Sequence, residues 1–358
     1  LKSPMAKRII IIGFIAAGIA LAYLKRAEIK QLLFGTQKTI NRSEVTLLIK
    51  EDMTADALAG FLVEKGVLNE TKPFLKQLEK QELSGETFDA GKYVILSGTK
   101  LTDLAHGFSK GENGHGVAEL KVKVLFNRCT TIEDIGMNIS KCIAADSSSL
   151  VDYISAPSTL SKYSFTLQQM PALFLPDEYE MYYDTDAAEF VAAMADEFKQ
   201  FWTEERKSKL KAIGLAYPSQ ATTLASIVYA EQGKIAAEWP VIARLYLNRL
   251  KKGMKLQSDP TFKFCWGSEL NGVQRLVGKH RNIDCDYNTY KINGLPPGPI
   301  CIVPKKVIDA VLSPAENNYL FMCAKPDYSG EHDFTHSDIV HVKNALAYHR
   351  WLNKEGKK

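Results

Sequence analysis

An uncharged stretch near the start of the chain separates a short N-terminal segment from the rest of the sequence. It covers 16 residues, 9–24, and lies between two Lys-Arg pairs. About 20 apolar residues span a bilayer comfortably, so the stretch is short for a membrane helix. The alternatives are a membrane anchor, a signal peptide cleaved at the small residues 20–22, and a buried helix. The basic flanks and the lack of polar residues other than Tyr23 favour an uncleaved anchor.

The composition is that of a globular protein without a strong charge bias. The chain has 358 residues, of which 46% are hydrophobic, and a formal net charge of +4. This length predicts two domains in addition to the anchor. The lysines are scattered and are not interleaved with aromatic residues, so nucleic acid is not predicted as a partner. The six cysteines form no CxxC pair, so zinc-ribbon and thioredoxin-type motifs lack their spacing.

Short strands and amphipathic helices follow the anchor, which predicts an α+β fold. Residues 1–26 are assigned to the anchor and residues 27–43 to a polar linker. Residues 44–116 are predicted to form a β-α-α-β lobe whose first helix begins at Thr54. A glycine-rich sequence, GENGHG at residues 111–116, is the predicted boundary of this lobe.

The remaining residues, 117–358, are predicted to form a second, mixed α+β domain. It opens with a small β-α lobe that repeats the strand, link and Thr-started helix order of the first lobe. One long amphipathic helix is predicted over residues 187–210. The next helix is predicted to be capped by Thr222 or Thr223.

This next helix carries a glutamate on its apolar face. Helical spacing of i, i+4, i+7 and i+11 places four residues on one side: Leu224, Val228, Glu231 and Ile235. Loss of solvation raises the pKa of a carboxyl group, which then donates a proton near neutral pH, as glycoside cleavage requires. The alternatives are that the helix turns Glu231 to the domain edge, or that Lys234 or Arg249 neutralises it.

Two loop segments beyond this helix offer residues for a binding groove. The segment YNTYKINGLPPGPI combines Tyr287 and Tyr290, whose flat faces suit sugar rings, with the amide of Asn288. The segment LQSDP places Gln257 and Asp259 just before a proline. Each segment taken alone is better explained as an ordinary turn.

A histidine-rich segment near the C-terminus, HDFTHSDIVHVKN, raises the possibility of a metal site. It contains His332, His336 and His341. It lacks HExxH and the carboxylate pattern of a zinc hydrolase. The sequence therefore predicts no metal and no other cofactor.

Four segments in this part of the chain together resemble a known family. In order between Leu224 and Asn344 they are LASIVYAEQGK, ARLYLNRLKKGMKLQSDPT, YNTYKINGLPPGPI and HDFTHSDIVHVKN. This succession resembles the endolytic murein transglycosylase family, the MltG or YceG-like proteins, as does FLPDEYEMY at residues 174–182. The resemblance implies a membrane-anchored protein with a LysM-like lobe and an α+β catalytic domain that cuts peptidoglycan strands.

The resemblance also implies the roles of individual residues. It places the catalytic glutamate on Glu231, while Tyr229 stands where many members have another glutamate. It further implies a set of substrate-binding residues: Asn248, Gln257, Asp259, Tyr287, Asn288, Thr289, Tyr290, Leu295, Pro296 and His332.

The implied reaction is lytic and needs one carboxyl group. Glu231 would protonate the glycosidic oxygen and then accept the proton of the sugar's 6-hydroxyl, which yields 1,6-anhydroMurNAc ends. Two alternatives remain: a non-catalytic peptidoglycan-binding scaffold, and a hydrolytic muramidase with Asp259 as its second carboxylate. The implied partners are glycan strands, peptidoglycan synthases and the cell membrane, with the catalytic domain in the periplasm.

The segment before YNTY departs from common family members because it carries two cysteines. We therefore predict a disulfide between Cys265 and Cys285, which would close the loop between them. Cys129 and Cys142 are the second candidate pair.

Overall fold

The computed structural model describes residues 38–108, 117–126, 129–270 and 278–356. The uncharged stretch at residues 9–24 lies outside these ranges, so the anchor stays a prediction. The glycine-rich boundary at residues 111–116 also lies outside them. Within the described ranges, no helix is both long enough and apolar enough to cross a membrane.

The described residues form two compact units. The first comprises the residues up to Val122 together with Tyr182–Asp184, and the second comprises Lys123–Met181 and the residues from Thr185 onwards. Short strands and helices occur in both units. The predicted α+β class is therefore confirmed.

The first unit contains a three-stranded sheet and a two-stranded sheet with helices between the strands. In chain order its elements are β1 (Val45–Ile49), β2 (Met53–Thr54), α1 (Ala55–Glu64), α2 (Lys72–Lys80), β3 (Thr87–Phe88), β4 (Gly91–Ile95), α3 (Leu101–His106) and β5 (Val117–Glu119). β1 and β5 both pair antiparallel with β4, and β2 pairs antiparallel with β3. The order β1-α1-α2-β4 is the predicted β-α-α-β arrangement.

Local capping and core packing explain these elements. The Thr54 hydroxyl accepts a hydrogen bond from the backbone N–H of Ala57, so α1 begins where the sequence indicated. The side chains of Leu58, Leu62 and Phe74 are fully buried between the helices and the sheet. Because β5 pairs with β4, the sheet of the first unit includes residues that sequence analysis assigned to the second domain.

The second unit is mainly helical. In chain order its elements are β6 (Val122–Leu125), α4 (Ile132–Ile139), α5 (Ser147–Ser155), α6 (Pro157–Tyr163), a 3-10 turn (Met170–Leu173), β7 (Glu178–Met181), α7 (Ala187–Phe201), α8 (Glu204–Ala212), α9 (Pro218–Glu231), a 3-10 turn (Ala236–Glu238), α10 (Trp239–Lys251), α11 (Asp259–Trp266), a 3-10 turn (Gly267–Leu270), α12 (Gly278–Arg281), α13 (Lys305–Leu312), β8 (Phe321–Ala324), β9 (His332–Thr335) and α14 (Asp338–Lys354). β6 pairs with β7, and β8 pairs antiparallel with β9.

The long helix predicted over residues 187–210 is divided in the structure, so this prediction is wrong in its extent. α7 ends at Phe201, and the buried Trp202 leaves the helix. The Thr203 hydroxyl then accepts a hydrogen bond from the N–H of Arg206 and starts α8. An N-cap residue has an extended backbone, which interrupts a continuous helix.

The start of α9 also differs from the prediction. The helix begins at Pro218, which suits the first helical position because proline has no N–H to satisfy. The Gln220 side chain accepts a hydrogen bond from the N–H of Ala216 just before the helix. Thr222 and Thr223 are therefore buried inside the helix, one turn beyond the position of a cap.

α9 lies at the centre of the second unit. Leu224, Ala225, Ile227 and Val228 have no exposed surface, and the helix packs against α10 and α13. α10 has Pro240 in its first turn and ends before Gly253, whose positive φ is typical of the end of a helix. The last residue of α9 is consequently held in place by packing on several sides.

Candidate active site

Glu231 is the last residue of α9 and faces a cavity. The apolar residues of the preceding turns are fully buried, whereas Glu231 is half-buried because one side of it lines the cavity. The helix ends at Glu231, so Ile235 belongs to the following turn rather than to the same helical face. The Glu231 carboxyl group is therefore largely surrounded by protein but can still contact a ligand in the cavity.

Two hydroxyl groups bind the same oxygen of Glu231. Tyr246 Oη donates a hydrogen bond to Oε1 at 2.8 Å, and Ser258 Oγ donates to Oε1 at 2.5 Å. Tyr246 comes from α10, and Ser258 directly precedes α11. Both donors are buried, so they fix the orientation of the carboxyl group and leave Oε2 for a ligand.

Burial raises the pKa of Glu231 above its usual value, because the charged form loses solvation. The hydrogen bonds from Ser258 and Tyr246 act in the opposite direction but do not cancel this effect. The carboxyl terminus of α9 carries partial negative charge, which also disfavours a carboxylate there. The protonated form of Glu231 is therefore favoured relative to that of an exposed glutamate.

Neither proposed neutralising residue forms an ion pair with Glu231. The buried Arg249 donates from Nε to Leu320 O at 2.6 Å and from Nη1 to Leu256 O at 2.8 Å. Lys234 is exposed. No ion pair among the described residues joins Glu231 to a neighbouring cation, so this alternative is not supported.

The cavity next to Glu231 has a volume of about 600 Å³ and is formed within the second unit. α9, α10, α11, α12, β8, β9 and α14 and the segments around them contribute to it. Its charged and polar lining residues are Glu231, Tyr246, Arg249, Gln257, Asp259, Arg281, Tyr290, His332, His341, Tyr348 and His349.

Asp259 is the second carboxyl group in this cavity, and both of its oxygens are engaged. Tyr290 Oη donates to Oδ1 at 2.5 Å, and Arg281 Nη2 lies 3.4 Å from Oδ2. Burial and the hydrogen bond to Asp259 raise the pKa of Tyr290 well above its usual value. Tyr290 therefore remains a hydrogen-bond donor at neutral pH.

His332 is held by a buried glutamate. Its Nδ1 lies 2.7 Å from Glu238 Oε2, and its backbone N–H donates to Glu238 Oε1 at 2.8 Å. Burial alone would raise the pKa of Glu238, but the hydrogen bonds from His332 and Gln232 outweigh it and lower the pKa. Because Nδ1 faces Glu238, the opposite edge of the imidazole is the one available to the cavity.

Five of the residues named from the sequence line the cavity together: Glu231, Gln257, Asp259, Tyr290 and His332. Gln257 has a left-handed backbone, with φ of 54°, which is uncommon for a residue other than glycine. Its N–H donates to Thr289 O at 3.1 Å. This bond ties the LQSDP segment to the YNTY segment.

Four of the other named residues are outside the cavity lining and hold the surrounding loops. The Asn248 amide donates to the carbonyl groups of Asn317 and Tyr319. Asn288 and Thr289 are fully buried and bond to nearby backbone and hydroxyl groups. Tyr287 packs against Phe264, with ring centroids 4.6 Å apart.

Leu295 and Pro296 line a different cavity, which has a volume of about 420 Å³. Gln169 and Gln220 also line it. Gly298 lets this loop approach closely, because a Cβ atom there would lie 1.7 Å from the Gln168 carbonyl oxygen. The structure does not bring these two residues into the cavity of Glu231.

Sequence reasoning did not assign Tyr246 or Ser258 to the site, whereas the family resemblance implied that His341 lies at the rim of the groove. Tyr246 has the helical spacing of a core aromatic, and Ser258 was explained as part of a turn. Arg249 offered a usable signal, since it is a cation at a buried helical position, as unusual there as Glu231.

The cysteines near the site are bonded as predicted. Cys265 in α11 forms a disulfide with Cys285, with their Cα atoms 6.2 Å apart, so this prediction is confirmed. Cys129 and Cys142 are not joined by a disulfide, so the second candidate pair is wrong. Cys129 instead accepts a hydrogen bond from the Asn138 amide.

Several known proteins are similar to this chain in sequence or in fold. A protein from Bacillus subtilis named endolytic murein transglycosylase is 27% identical over 329 residues, covering 89% of this chain and 88% of that protein. A Streptococcus pneumoniae protein of the same name is 27% identical over 158 residues, which are 44% of this chain and 26% of that protein. The crystal structure of a YceG-like protein from Listeria monocytogenes superposes with a TM-score of 0.53 at 21% identity, covering 85% of this chain and 99% of that one.

The family model of the YceG-like proteins matches residues 47–346, which include most of both units and every residue of the cavity described above except Tyr348 and His349. The resemblance inferred from the sequence motifs is thereby confirmed. The chain belongs to the YceG-like family.

Proposed function

We propose that this protein is an endolytic lytic transglycosylase, which cleaves the MurNAc–GlcNAc bond of peptidoglycan strands and leaves 1,6-anhydroMurNAc ends. The observation that carries the proposal is the carboxyl group of Glu231, whose pKa is raised by burial and which faces the cavity. The names of the relatives from Bacillus subtilis and Streptococcus pneumoniae support it.

In the first step, protonated Glu231 donates its proton to the glycosidic oxygen as the bond to the MurNAc anomeric carbon breaks. Oε2 is the oxygen that reaches the substrate, because Oε1 is occupied by Tyr246 and Ser258. Positive charge develops on the sugar ring at this stage. The Asp259 carboxyl group lines the same cavity and stabilises this charge electrostatically.

In the second step, the Glu231 carboxylate accepts the proton of the MurNAc 6-hydroxyl as that oxygen bonds to the anomeric carbon. The tyrosine and serine hydroxyl groups stabilise the carboxylate that exists between the two steps. Hydrogen bonds to charged groups contribute roughly 1.5–3 kcal/mol each. No water and no second base enter the reaction.

A hydrolytic muramidase is the second candidate, because Asp259 lines the same cavity as Glu231. It would require Asp259 to activate a water molecule or attack the sugar. The contacts of Asp259 with Tyr290 and Arg281 disfavour this role, since both carboxylate oxygens are already engaged. A non-catalytic scaffold would not require a carboxyl group with a raised pKa in its cavity, so the raised pKa of Glu231 disfavours this alternative.

The wider setting belongs to the same proposal. Residues 9–24 would anchor the protein in the membrane as a single span, with the catalytic domain in the periplasm. The first unit would act as a LysM-like lobe that binds glycan strands. Peptidoglycan synthases would supply the nascent strands.

Product analysis tests the proposed function. Wild-type protein incubated with glycan strands should generate 1,6-anhydroMurNAc ends, and Glu231→Gln should generate almost none while still binding strands. New reducing ends in place of anhydro ends would establish the hydrolase. Strand binding without cleavage by the wild-type protein would establish the scaffold.

A further inference from the structure

Basic residues dominate the charged lining of the cavity that contains Glu231. Five Arg and His side chains line it, against two carboxyl groups: Arg249, Arg281, His332, His341 and His349, against Glu231 and Asp259. Burial favours the neutral form of Glu231, and Asp259 is engaged by Arg281. Arg249, in the wall formed by α10, β8 and α14, is therefore a charged group without a lining carboxylate paired to it.

Arg249 is the central residue of this wall and is only 7% exposed. All its hydrogen bonds go to neutral acceptors: Leu320 O, Lys255 O, Leu256 O and Gln257 Oε1. These bonds use Nε and Nη1, and Nη2 makes none with the described residues. Nη2 is not fully enclosed by protein atoms. Because Arg249 lines the cavity, this nitrogen opens to it.

A guanidinium group in this state is unusual. Buried charges in proteins are normally paired, because a lone one loses solvation without compensation. Burial lowers the pKa of Arg249, which reflects this loss, although the group stays charged at neutral pH. Its planar fork matches a carboxylate, so a carboxylate in the cavity would supply the missing partner.

His341 adds a second donor to the lining of the same cavity. Its ring stacks on Phe321 with a centroid distance of 5.1 Å, and the Arg249 guanidinium lies 5.3 Å from the same phenylalanine ring. His341 Nδ1 is enclosed without a partner, whereas Nε2 is not enclosed and makes no hydrogen bond within the described part of the chain. Burial and the charge of Arg249 lower the pKa of His341, so it offers a neutral N–H.

We propose that Arg249 Nη2 and His341 Nε2 form a subsite that binds a carboxylate of the glycan strand. This inference rests on the proposed function, because it takes the strand as the ligand of the cavity. Two carboxylates of peptidoglycan have the required chemistry: the lactyl group of a peptide-free muramyl residue and the acidic groups of a stem peptide. The subsite makes the enzyme selective for strands that carry such a group next to the cleaved bond.

The first test varies the substrate and leaves the protein unchanged. Cleavage is measured with peptide-free strands whose lactyl carboxylates are free or methyl-esterified, and with peptide-bearing strands whose carboxylates are free or amidated. We expect neutralisation of the carboxylate to raise KM about tenfold in at least one pair, because the loss of a charge-assisted hydrogen bond weakens binding by about this factor. The pair that responds identifies the lactyl group or the stem peptide as the source. Equal KM values within both pairs would overturn the proposal.

The second test varies the protein. Arg249→Gln should raise KM about tenfold more for the responsive free strand than for its neutralised form. His341→Phe, which keeps the stacking on Phe321, should act in the same direction. Arg244→Gln is the matched control, because Arg244 also lies in α10 and donates to a carbonyl group, Ala315 O, but does not line the cavity. Equal effects of Arg249→Gln on both strand forms would indicate a merely structural role and refute the subsite.

Failure of the proposed function can be separated from failure of this inference. If wild-type protein forms no anhydro ends on any strand, the function is wrong, and the binding of free and neutralised strands to Glu231→Gln still decides the subsite. If anhydro ends form equally from both members of each pair, the function stands and the subsite is wrong. Circular dichroism identifies a variant of Arg249 that does not fold, and the substrate comparison then decides alone.

Discussion

At the last residue of α9, two opposing influences act on one carboxyl group. Burial favours protonated Glu231, whereas the Tyr246 and Ser258 hydroxyl groups favour the carboxylate. A group that must donate a proton and then accept one needs both forms to be accessible. The arrangement therefore suits an acid that becomes a base within one reaction cycle.

We predict that replacing Glu231 by Gln changes the pH dependence of stability. The pKa of Glu231 is higher in the folded protein than in the unfolded chain. Between these two pKa values the folded protein retains a proton that the unfolded chain has released, so the free energy of unfolding falls as pH rises. Each unit of difference corresponds to about 1.4 kcal/mol. Glu231→Gln should therefore gain stability relative to wild type between pH 4 and pH 8, as measured by urea unfolding. If the difference in the free energy of unfolding between variant and wild type were the same at pH 4 and pH 8, the raised pKa of Glu231 would be contradicted.

We predict that Tyr246→Phe shifts the basic limb of the pH–rate profile to higher pH. The variant keeps the ring but removes one of the two donors that stabilise the carboxylate, so the pKa of Glu231 rises further. The limb of kcat/KM on which the acid is lost should move by up to about one pH unit. Tyr229→Phe is the control, since Tyr229 packs against Trp239 outside the cavity lining. A shift to lower pH, or an equal shift in the control, would argue against this role.

At the residue scale, the sequence revealed the charge but not its partners. Glu231 was recognisable because helical spacing is local and a carboxylate on an apolar face is anomalous. Tyr246 and Ser258 lie 15 and 27 residues further along the chain, so their contact with Glu231 depends on how α10 and the following loop pack. Tertiary packing of this kind leaves no periodic signal in the sequence.

At the scale of elements, helix boundaries were the least predictable feature. The apolar spacing of residues 187–210 continues across Trp202, although the chain changes direction there. Trp202 is buried, as an apolar residue on the predicted helix face would be. It lies between α7 and α8, however, and not within a helix. The start of α1 was predictable because Thr54 is a local capping residue.

The disulfide joins two elements of the site, and we predict that its loss weakens both stability and activity. It closes a loop with a sequence separation of 20 that contains Arg281, the residue that contacts Asp259. Constraining the unfolded chain in this way stabilises a protein by about 3 kcal/mol. The double variant Cys265→Ser, Cys285→Ser should lose about this much in urea unfolding and cleave strands more slowly. Cys142→Ser is the control, because Cys142 is a half-buried thiol outside this loop.

A reductant supplies an independent measurement of the same contribution. Wild-type protein in dithiothreitol should approach the stability of the double variant, and the double variant itself should be unaffected by dithiothreitol. Equal stability of wild type and double variant in the absence of reductant would show that the disulfide does not stabilise the fold.

At the scale of the whole molecule, the α+β class and the order of the first lobe followed from local patterns, whereas the unit boundary did not. β5 pairs with β4 across an intervening segment, which is a long-range contact that composition does not reveal. The cavity likewise gathers residues from Glu231 to His349. Motif order predicted that these segments belong together, but only the fold separates cavity residues such as Tyr290 from supporting residues such as Asn288.

The membrane anchor is the prediction that concerns the molecule as a whole. Residues 9–24 are uncharged and bounded by basic pairs, and the proposed peptidoglycan substrate would require the catalytic domain to face the periplasm. Protease added to spheroplasts should therefore degrade the second unit, while intact cells protect it. Replacing two central isoleucines of the stretch with lysine should move the protein out of the membrane fraction, since a lysine at the centre of a span costs about 2.5–3.5 kcal/mol. Complete protection of the second unit in spheroplasts would place it in the cytoplasm and separate it from peptidoglycan.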